Sequence, residues 1–357
     1  MKPELLRPDN VTPPTRTPWG GRKILEHYKA ALGLSSVAGA VGESWEVSVE
    51  PSFPSRLAVS GETLADVIGR SPVAWLGGAV ATRFDGQTPL LIKLLDSADN
   101  LSVQVHPADG DPALGDGESG KPESWIVLDA EPGAGIYLGF RDGVSRTDVE
   151  RCLAIEGPVD ELLNFVVVQP GDVFVLRAGT PHAIGKGVTL VEPQFVSPGR
   201  RGVTYRFWDW NRRYDDQGRL DPDGAPRALH VDRSLAVTDW DGPRGEAFVK
   251  SCRSEPRRIE TPAMARQRLV DWPWFVAERW QGSGTLDLVA PGTMSALTCV
   301  EGSAVVRAGE DEVVLPCGQS CVVPAAAGAL RVTGDGARLI ACRSRLPDEP
   351  AMSAGGG

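Results

Sequence analysis

The sequence predicts a mainly β protein: a sandwich or small barrel carrying helical inserts, then a second β-unit of similar build. Three observations support this. Short apolar runs recur along the chain, bounded by turn signals such as Pro170-Gly171. Helical periodicity is confined to brief pieces between them. Residues 101–106 alternate strictly, with Leu101, Val103 and Val105 on one face and Ser102, Gln104 and His106 on the other. A strand with one polar and one apolar face lines a wet cavity.

The 357 residues allow a large core and two domains. Hydrophobic residues make up 41% and charged residues 24%, ordinary for a globular protein. A net charge of −10 weighs against nucleic acid or an anionic membrane as partner. An anionic small substrate then needs a local basic patch. The chain opens without an apolar leader, and no apolar run approaches the ~18 residues of a membrane span, so a cytoplasmic protein is expected. Cys152, Cys252, Cys299, Cys317, Cys321 and Cys342 are scattered and read as reduced thiols. Cys317 and Cys321 lack a second pair, which argues against a zinc knuckle.

In chain order, residues 1–18 read as an extended arm rich in proline. Residues 42–49 form a strand with Trp45, Val47 and Val49 on one face; Glu43 and Glu46 fit a solvated edge as well as a site. Residues 60–70 form a helix capped by Ser60, burying Leu64, Val67 and Ile68. Residues 89–96 are an apolar strand carrying a single lysine, Lys93. Residues 125–128 and 135–140 read as paired strands around a Pro-Gly turn. Ser145 and Asp148 have the spacing of a capping box for a helix to 153, and a second helical piece spans 158–163. Strands follow at 165–168, 173–176 and 188–191.

Residues 192–214 hold the only dense basic cluster in this acidic chain: Arg200, Arg201, Arg206, Arg212 and Arg213 among aromatics. Arg212 and Arg213 read as structural partners of Asp209, whereas Arg206 shares a strand face with Thr204 and Trp208 and can enter the cavity. A helix spans 229–237; His230 at its start reads as a surface or helix-end residue, and His27 as structural. Residues 241–267 have the composition of a connector. Residues 268–346 form the second β-unit, with short strands at 298–300, 304–307, 313–316 and 321–324. That unit holds no histidine. The tail, 347–357, is expected to be disordered.

Gln104 and His106, followed after a Gly-rich loop by Glu123, offer a carbonyl oxygen, an imidazole and a carboxylate, a set suited to a divalent metal of zinc type. A lone Gln-x-His is more often a solvated strand face. The balance shifts because a second of the four histidines, His182 in Gly-Thr-Pro-His, lies just beyond a strand where a small barrel opens.

At this point the motifs resemble the type I mannose-6-phosphate isomerases of the cupin superfamily. The residues that carry the likeness are Trp19-Gly20-Gly21, GESWEVS at 42–48, LLIKLLDSADNLSVQVHP at 90–107, KPE at 121–123, GTPHAIGKGV at 179–188 and TYRFWDWNR at 204–212. The resemblance implies a cupin-type jelly-roll catalytic domain with a helical insertion over 19–240, and a metal-free cupin-like β domain over 268–346. It makes Gln104, His106, Glu123 and His182 the ligands of one Zn2+ per chain, and Arg206 the catalytic arginine. It places Ser102 and Lys121 at the substrate phosphate, with Glu192 or a metal-held hydroxide as proton carrier. The implied reaction interconverts mannose 6-phosphate and fructose 6-phosphate through an enediol or enediolate, in a monomer or dimer. Isomerisation of another hexose phosphate such as glucose 6-phosphate, a non-catalytic sugar-phosphate-binding cupin and a cupin oxygenase are the competing readings. The family's segment before the arginine strand is rich in Gln, Asn, Ser and Asp; here it reads PQFVSPGRRGVT, which bears on the pocket rim and substrate choice.

Overall fold

In the computed structural model, which describes residues 1–259 and 264–349, the strands between residues 43 and 208, apart from the short parallel pair Glu118–Ser119 and Arg201–Gly202, sort into two five-stranded antiparallel sheets. One runs Tyr205–Trp208, Val103–Val105, His182–Ile184, Gly135–Phe140, Leu163–Val167. The other runs Glu43–Val47, Leu90–Asp96, Val188–Phe195, Glu123–Ala130, Val173–Leu176. They pack face to face around Leu95, Trp125, Val127, Leu190, Ile136, Leu138 and Ile184. The result is the expected cupin-type sandwich, mainly β, with helices attached.

Leu90–Asp96 is buried along its whole length because both its faces are covered. Leu91 and Leu95 turn inward, while Leu90, Ile92 and Leu94 pack outward with Leu64, Ile68, Leu76 and Val80 of three short helices. Those helices are Leu64–Arg70, Pro72–Leu76 and Gly78–Arg83. The first begins later than its sequence suggests. Thr63 is the cap, its Oγ1 accepting from the Asp66 amide at 3.1 Å, whereas Ser60 accepts from the Glu62 amide in a preceding turn. The box at Ser145 forms as expected, with both reciprocal bonds to Asp148.

The strands at 125–128 and 135–140 do not pair with each other. Glu123–Ala130 lies between Val188–Phe195 and Val173–Leu176, and Gly135–Phe140 lies in the opposite sheet. Pro132-Gly133 therefore carries the chain across the sandwich instead of around a hairpin, and local turn chemistry cannot distinguish the two.

The C-terminal unit is an eight-stranded sheet built on three long strands, Phe275–Leu288, Ser295–Ala308 and Leu330–Ser344. The separate pieces expected at 298–300 and 304–307 are one strand, bent where its register shifts around Gly302 (φ 64°). Its inner face holds Trp280, Leu297, Val306, Leu315 and Leu339. Its other face, with Phe275, Ala277, Ala296 and Ile340, joins the same cluster as Ile92 and Ile126 of the first unit. In the proline-rich arm Glu4–Leu5 adds a strand to the edge of this C-terminal sheet, and turns follow at 8–9 and 14–16. Within 241–267 the chain forms the helix Gly245–Cys252 and the strands Arg257–Ile259 and Ala265–Asp271, which extend that sheet's other edge. Of the tail, residues 350–357 lie outside the described residues; Glu349 accepts from Arg343 at 2.7 Å.

A buried ion pair pins the units together. Lys29 Nζ lies 2.7 Å from Glu46 Oε1, with side chains 1% and 2% exposed. Lys29 also donates to Gly318 O at 3.1 Å, and Ser320 Oγ donates to Glu46 Oε2 at 2.7 Å. Glu46 is thus no solvated edge. Among the described residues, no helix is long and apolar enough to cross a membrane.

Candidate active site and metal centre

Strand register assembles the site. Across one sheet, His182 stands opposite Gln104, and Gln104 opposite Arg206, so three neighbouring strands set these residues in a row. Across the facing sheet, Gln194 stands opposite Glu123, Glu192 opposite Lys93, and Lys93 opposite Trp45. Period-two alternation sends all of these inward. The inner face is therefore graded: apolar at one end, where Trp125, Val127 and Leu190 pack, and polar at the other. A cavity of about 660 Å³ opens at the polar end.

At its base His106, Glu123 and His182 converge, their potential ligand atoms all within 4.8 Å of one another. Exposure is 3%, 0% and 1% respectively. His106 Nε2 lies 3.3 Å from Glu123 Oε2, and His182 Nε2 lies 3.3 Å from Glu123 Oε1. By distance these are ion pairs; by proton inventory they are not. His106 Nδ1 lies 3.0 Å from Val203 O and His182 Nδ1 2.8 Å from Thr180 O. A carbonyl only accepts, so each Nδ1 carries a proton and each Nε2 is the atom turned toward an anionic oxygen. Burial, then the charge of Lys121, lowers the His106 pKa to about 3, which keeps that ring neutral. His106 Nε2, His182 Nε2 and Glu123 Oε1 accordingly have no hydrogen-bond partner among the described residues. Buried lone pairs facing one another are costly unless a cation sits between them. The donor set fits a divalent metal.

The carboxylates around this base are held apart in protonation. Burial opposes charge on Glu123, but the charge of Lys121, its Nζ 2.9 Å away, works against burial, and the pKa stays well below the usual range. For Glu192, burial and then the charge of Glu123 push the pKa up to about 7. Trp125 Nε1 and Gln194 Nε2 donate to its two oxygens at 3.0 and 2.6 Å. Gln194 also donates to Glu123 at 2.8 Å.

The upper wall carries the basic cluster. Arg206 Nε donates to Ser102 Oγ at 3.2 Å and Arg206 Nη1 to Ala228 O at 2.8 Å. Among the described residues no carboxylate forms an ion pair with Arg206. Burial, followed by the nearby charge of Arg227, lowers its pKa to about 10. Arg212 is structural as expected, bound to Asp209 and Asp99. Arg213 is structural too, but donates to Gly224 O; the second partner of Asp209 is Arg227.

All the residues singled out in the sequence, Ser102, Gln104, His106, Lys121, Glu123, His182, Glu192 and Arg206, come to this one end of the sandwich. Sequence reasoning missed several neighbours. Glu43 and Lys93 lie 3.6 Å apart on the cavity wall, and Lys93 sits 4.4 Å from the Trp45 ring centroid. The single lysine in a buried, mostly apolar strand was the available signal for Lys93. Gln194 alternates with Glu192, which could have marked it. His230, read as a surface or helix-end residue, does begin the helix Val231–Val237 but also lines the cavity.

Comparison with known proteins gives two family matches: phosphomannose isomerase type I, catalytic domain, over residues 16–125, and mannose-6-phosphate isomerase, cupin domain, over residues 267–343. The mannose-6-phosphate isomerase of Streptococcus mutans is 30% identical over 319 residues, covering 89% of this chain and 92% of that protein. Among solved structures, mannose 6-phosphate isomerase from Bacillus subtilis aligns with a TM-score of 0.77 at 24% identity, over 96% of this chain and 100% of that one. A mannose 6-phosphate isomerase bound with zinc and yttrium aligns with a TM-score of 0.70 at 19% identity, over 97% of this chain and 100% of that one.

Proposed function

The chain belongs to the type I phosphomannose isomerase family, and from that premise we propose that it interconverts mannose 6-phosphate and fructose 6-phosphate with one zinc ion. The observation that carries the metal assignment is the pair of buried imidazoles, both with Nδ1 spent on a carbonyl, aiming Nε2 at one carboxylate. His106, Glu123 and His182 would hold the ion, with Gln104, across the ladder from His182, as the fourth ligand. Zinc bound there supplies a fixed positive charge that polarises the sugar carbonyl without redox chemistry.

The chain's own residues do the rest. Isomerisation moves a proton between adjacent carbons through an enediol or enediolate. Glu192, with a pKa near neutrality, is matched to take and return that proton. Trp125 and Gln194 fix its orientation, and Lys93 beside it (4.0 Å) favours its ionised form. Lys121 anchors Glu123 with one of its three N–H bonds, leaving the others for substrate oxygens. Arg206, which has no carboxylate partner among the described residues, meets the negative charge of the substrate, and Ser102 holds its Nε.

The test is elemental analysis of the purified protein alongside a coupled fructose 6-phosphate to mannose 6-phosphate assay. One zinc per chain and turnover abolished by chelation are expected. Turnover without bound metal would contradict the proposal.

A further inference from the structure

Of the four histidines, His230 has no place in the reading above, yet it lines the cavity. Two hydrogen bonds lock it to Arg206. The Arg206 amide donates to His230 Nδ1 at 3.1 Å, and the His230 amide donates to Arg206 O at 2.8 Å. An amide N–H only donates, so Nδ1 is the acceptor and the neutral ring carries its proton on Nε2. This is the reverse of the tautomer in His106 and His182. Those two offer lone pairs, as a metal site needs; His230 offers an N–H, as an anion site needs.

The surroundings point the same way. Arg206 and Arg233 are close enough to depress the His230 pKa along with burial, while Glu118 acts weakly in the other direction. Arg206 has no carboxylate partner among the described residues, and Ser102 Oγ is bound to its Nε. Arg233 has Glu118 at 3.8 Å and Arg227 has Asp209, so within this basic corner of a chain of net charge −10 the Arg206 guanidinium is the charge an anionic ligand would complete.

We propose that His230 is a substrate-binding residue whose Nε2–H receives an oxygen of the substrate phosphate, beside the Arg206 guanidinium. The inference rests on the isomerase reading. It places phosphate recognition on the wall that carries Arg206 and His230, while Lys121 stands beside Glu123 at the metal end.

Two isosteres separate contact from positioning. Asn places its carbonyl oxygen near the position of Nδ1, and is also a favoured helix cap, so His230→Asn keeps the Arg206 anchor and loses the donor. Gln places its amide near Nε2, so His230→Gln keeps the donor and loses the anchor. Each is assayed with mannose 6-phosphate, with inorganic phosphate as competitive inhibitor. For His230→Asn, KM and the phosphate inhibition constant should rise about tenfold or more, the loss of one hydrogen bond to a charged group, while kcat stays within about threefold. For His230→Gln both constants should stay near wild type while kcat falls. Unchanged phosphate inhibition in His230→Asn, or an equal loss in both variants, would overturn the assignment. Should the wild type not turn over mannose 6-phosphate, the isomerase reading fails separately, and calorimetric binding of inorganic phosphate to wild type and His230→Asn still decides the site.

Discussion

Replacing Lys29 with Met tests how the two β-units are joined. Lys29 and Glu46 are almost fully buried at 2.7 Å, and the remaining bonds of both side chains go to Gly318 and Ser320 of the C-terminal sheet. Removing the ammonium leaves the Glu46 carboxylate in a dry seam with one hydroxyl donor. Breaking one side of such a pair costs about 3–5 kcal/mol. At an unfolding entropy of about 2.1 cal/mol/K per residue, a loss of ~4 kcal/mol lowers Tm by about 5 °C for a chain of this length. The double variant Lys29→Met, Glu46→Leu removes the stranded charge and should recover about 2 kcal/mol of that loss. Calorimetry on both variants checks this. A single variant within about 1 kcal/mol of wild type, or a double variant costing the sum of the two singles, would refute the reasoning. The strand that carries Glu46 on its outer face carries Glu43 and Trp45 toward the cavity, so turnover should fall in the single variant before global unfolding.

The other expectations concern the site. His106→Ala and Glu123→Ala should each lose zinc and activity together, measured by elemental analysis on the protein used for the assay; full zinc stoichiometry in either would remove that residue from the ligand set. Arg206→Ala should keep zinc and lose at least about a hundredfold in kcat/KM, the scale of a charged group aimed at a developing anion, and unchanged kinetics would make it structural. The Glu192 pKa is pushed up to about 7 from the ordinary 4.5 of a glutamate, so the folded state binds the extra proton between those values. Its contribution to stability is therefore present below about pH 4.5 and lost as pH rises through about 7, on the order of 3 kcal/mol in total. Chemical denaturation of metal-stripped protein from pH 5 to 8 should show that loss in wild type and not in Glu192→Gln, and a parallel pH dependence in the two would contradict it.

Much of this site was legible because β alternation is a local property. Ser102, Gln104 and His106 declare their shared face in six residues of sequence, and the lone Lys93 marks the inward side of an otherwise apolar strand. The convergence of His106, Glu123 and His182 was suggested by residue type and the family likeness. What stayed hidden depends on pairing at long range. The register that sets His182, Gln104 and Arg206 in one row joins strands about eighty and a hundred residues apart. The Pro132-Gly133 turn could not say whether it closed a hairpin or crossed between sheets. Glu46 seemed free because its partner, Lys29, sits on a short helical turn with no pattern linking the two. His230 does cap a helix as its position suggests, but its place on the cavity wall stayed hidden for the same reason, since it comes with the paired bonds to Arg206. The bend at Gly302 divided one long strand into two apparent short ones, since a bulge and a turn look alike in sequence.

If four side chains from separate strands and loops hold one zinc ion in a cavity without thiolates, X-ray absorption at the zinc edge of the active protein should show it. The expected spectrum is a shell of nitrogen and oxygen neighbours with the multiple-scattering signature of two imidazoles. A sulfur shell, or a signal from a single imidazole, would contradict it.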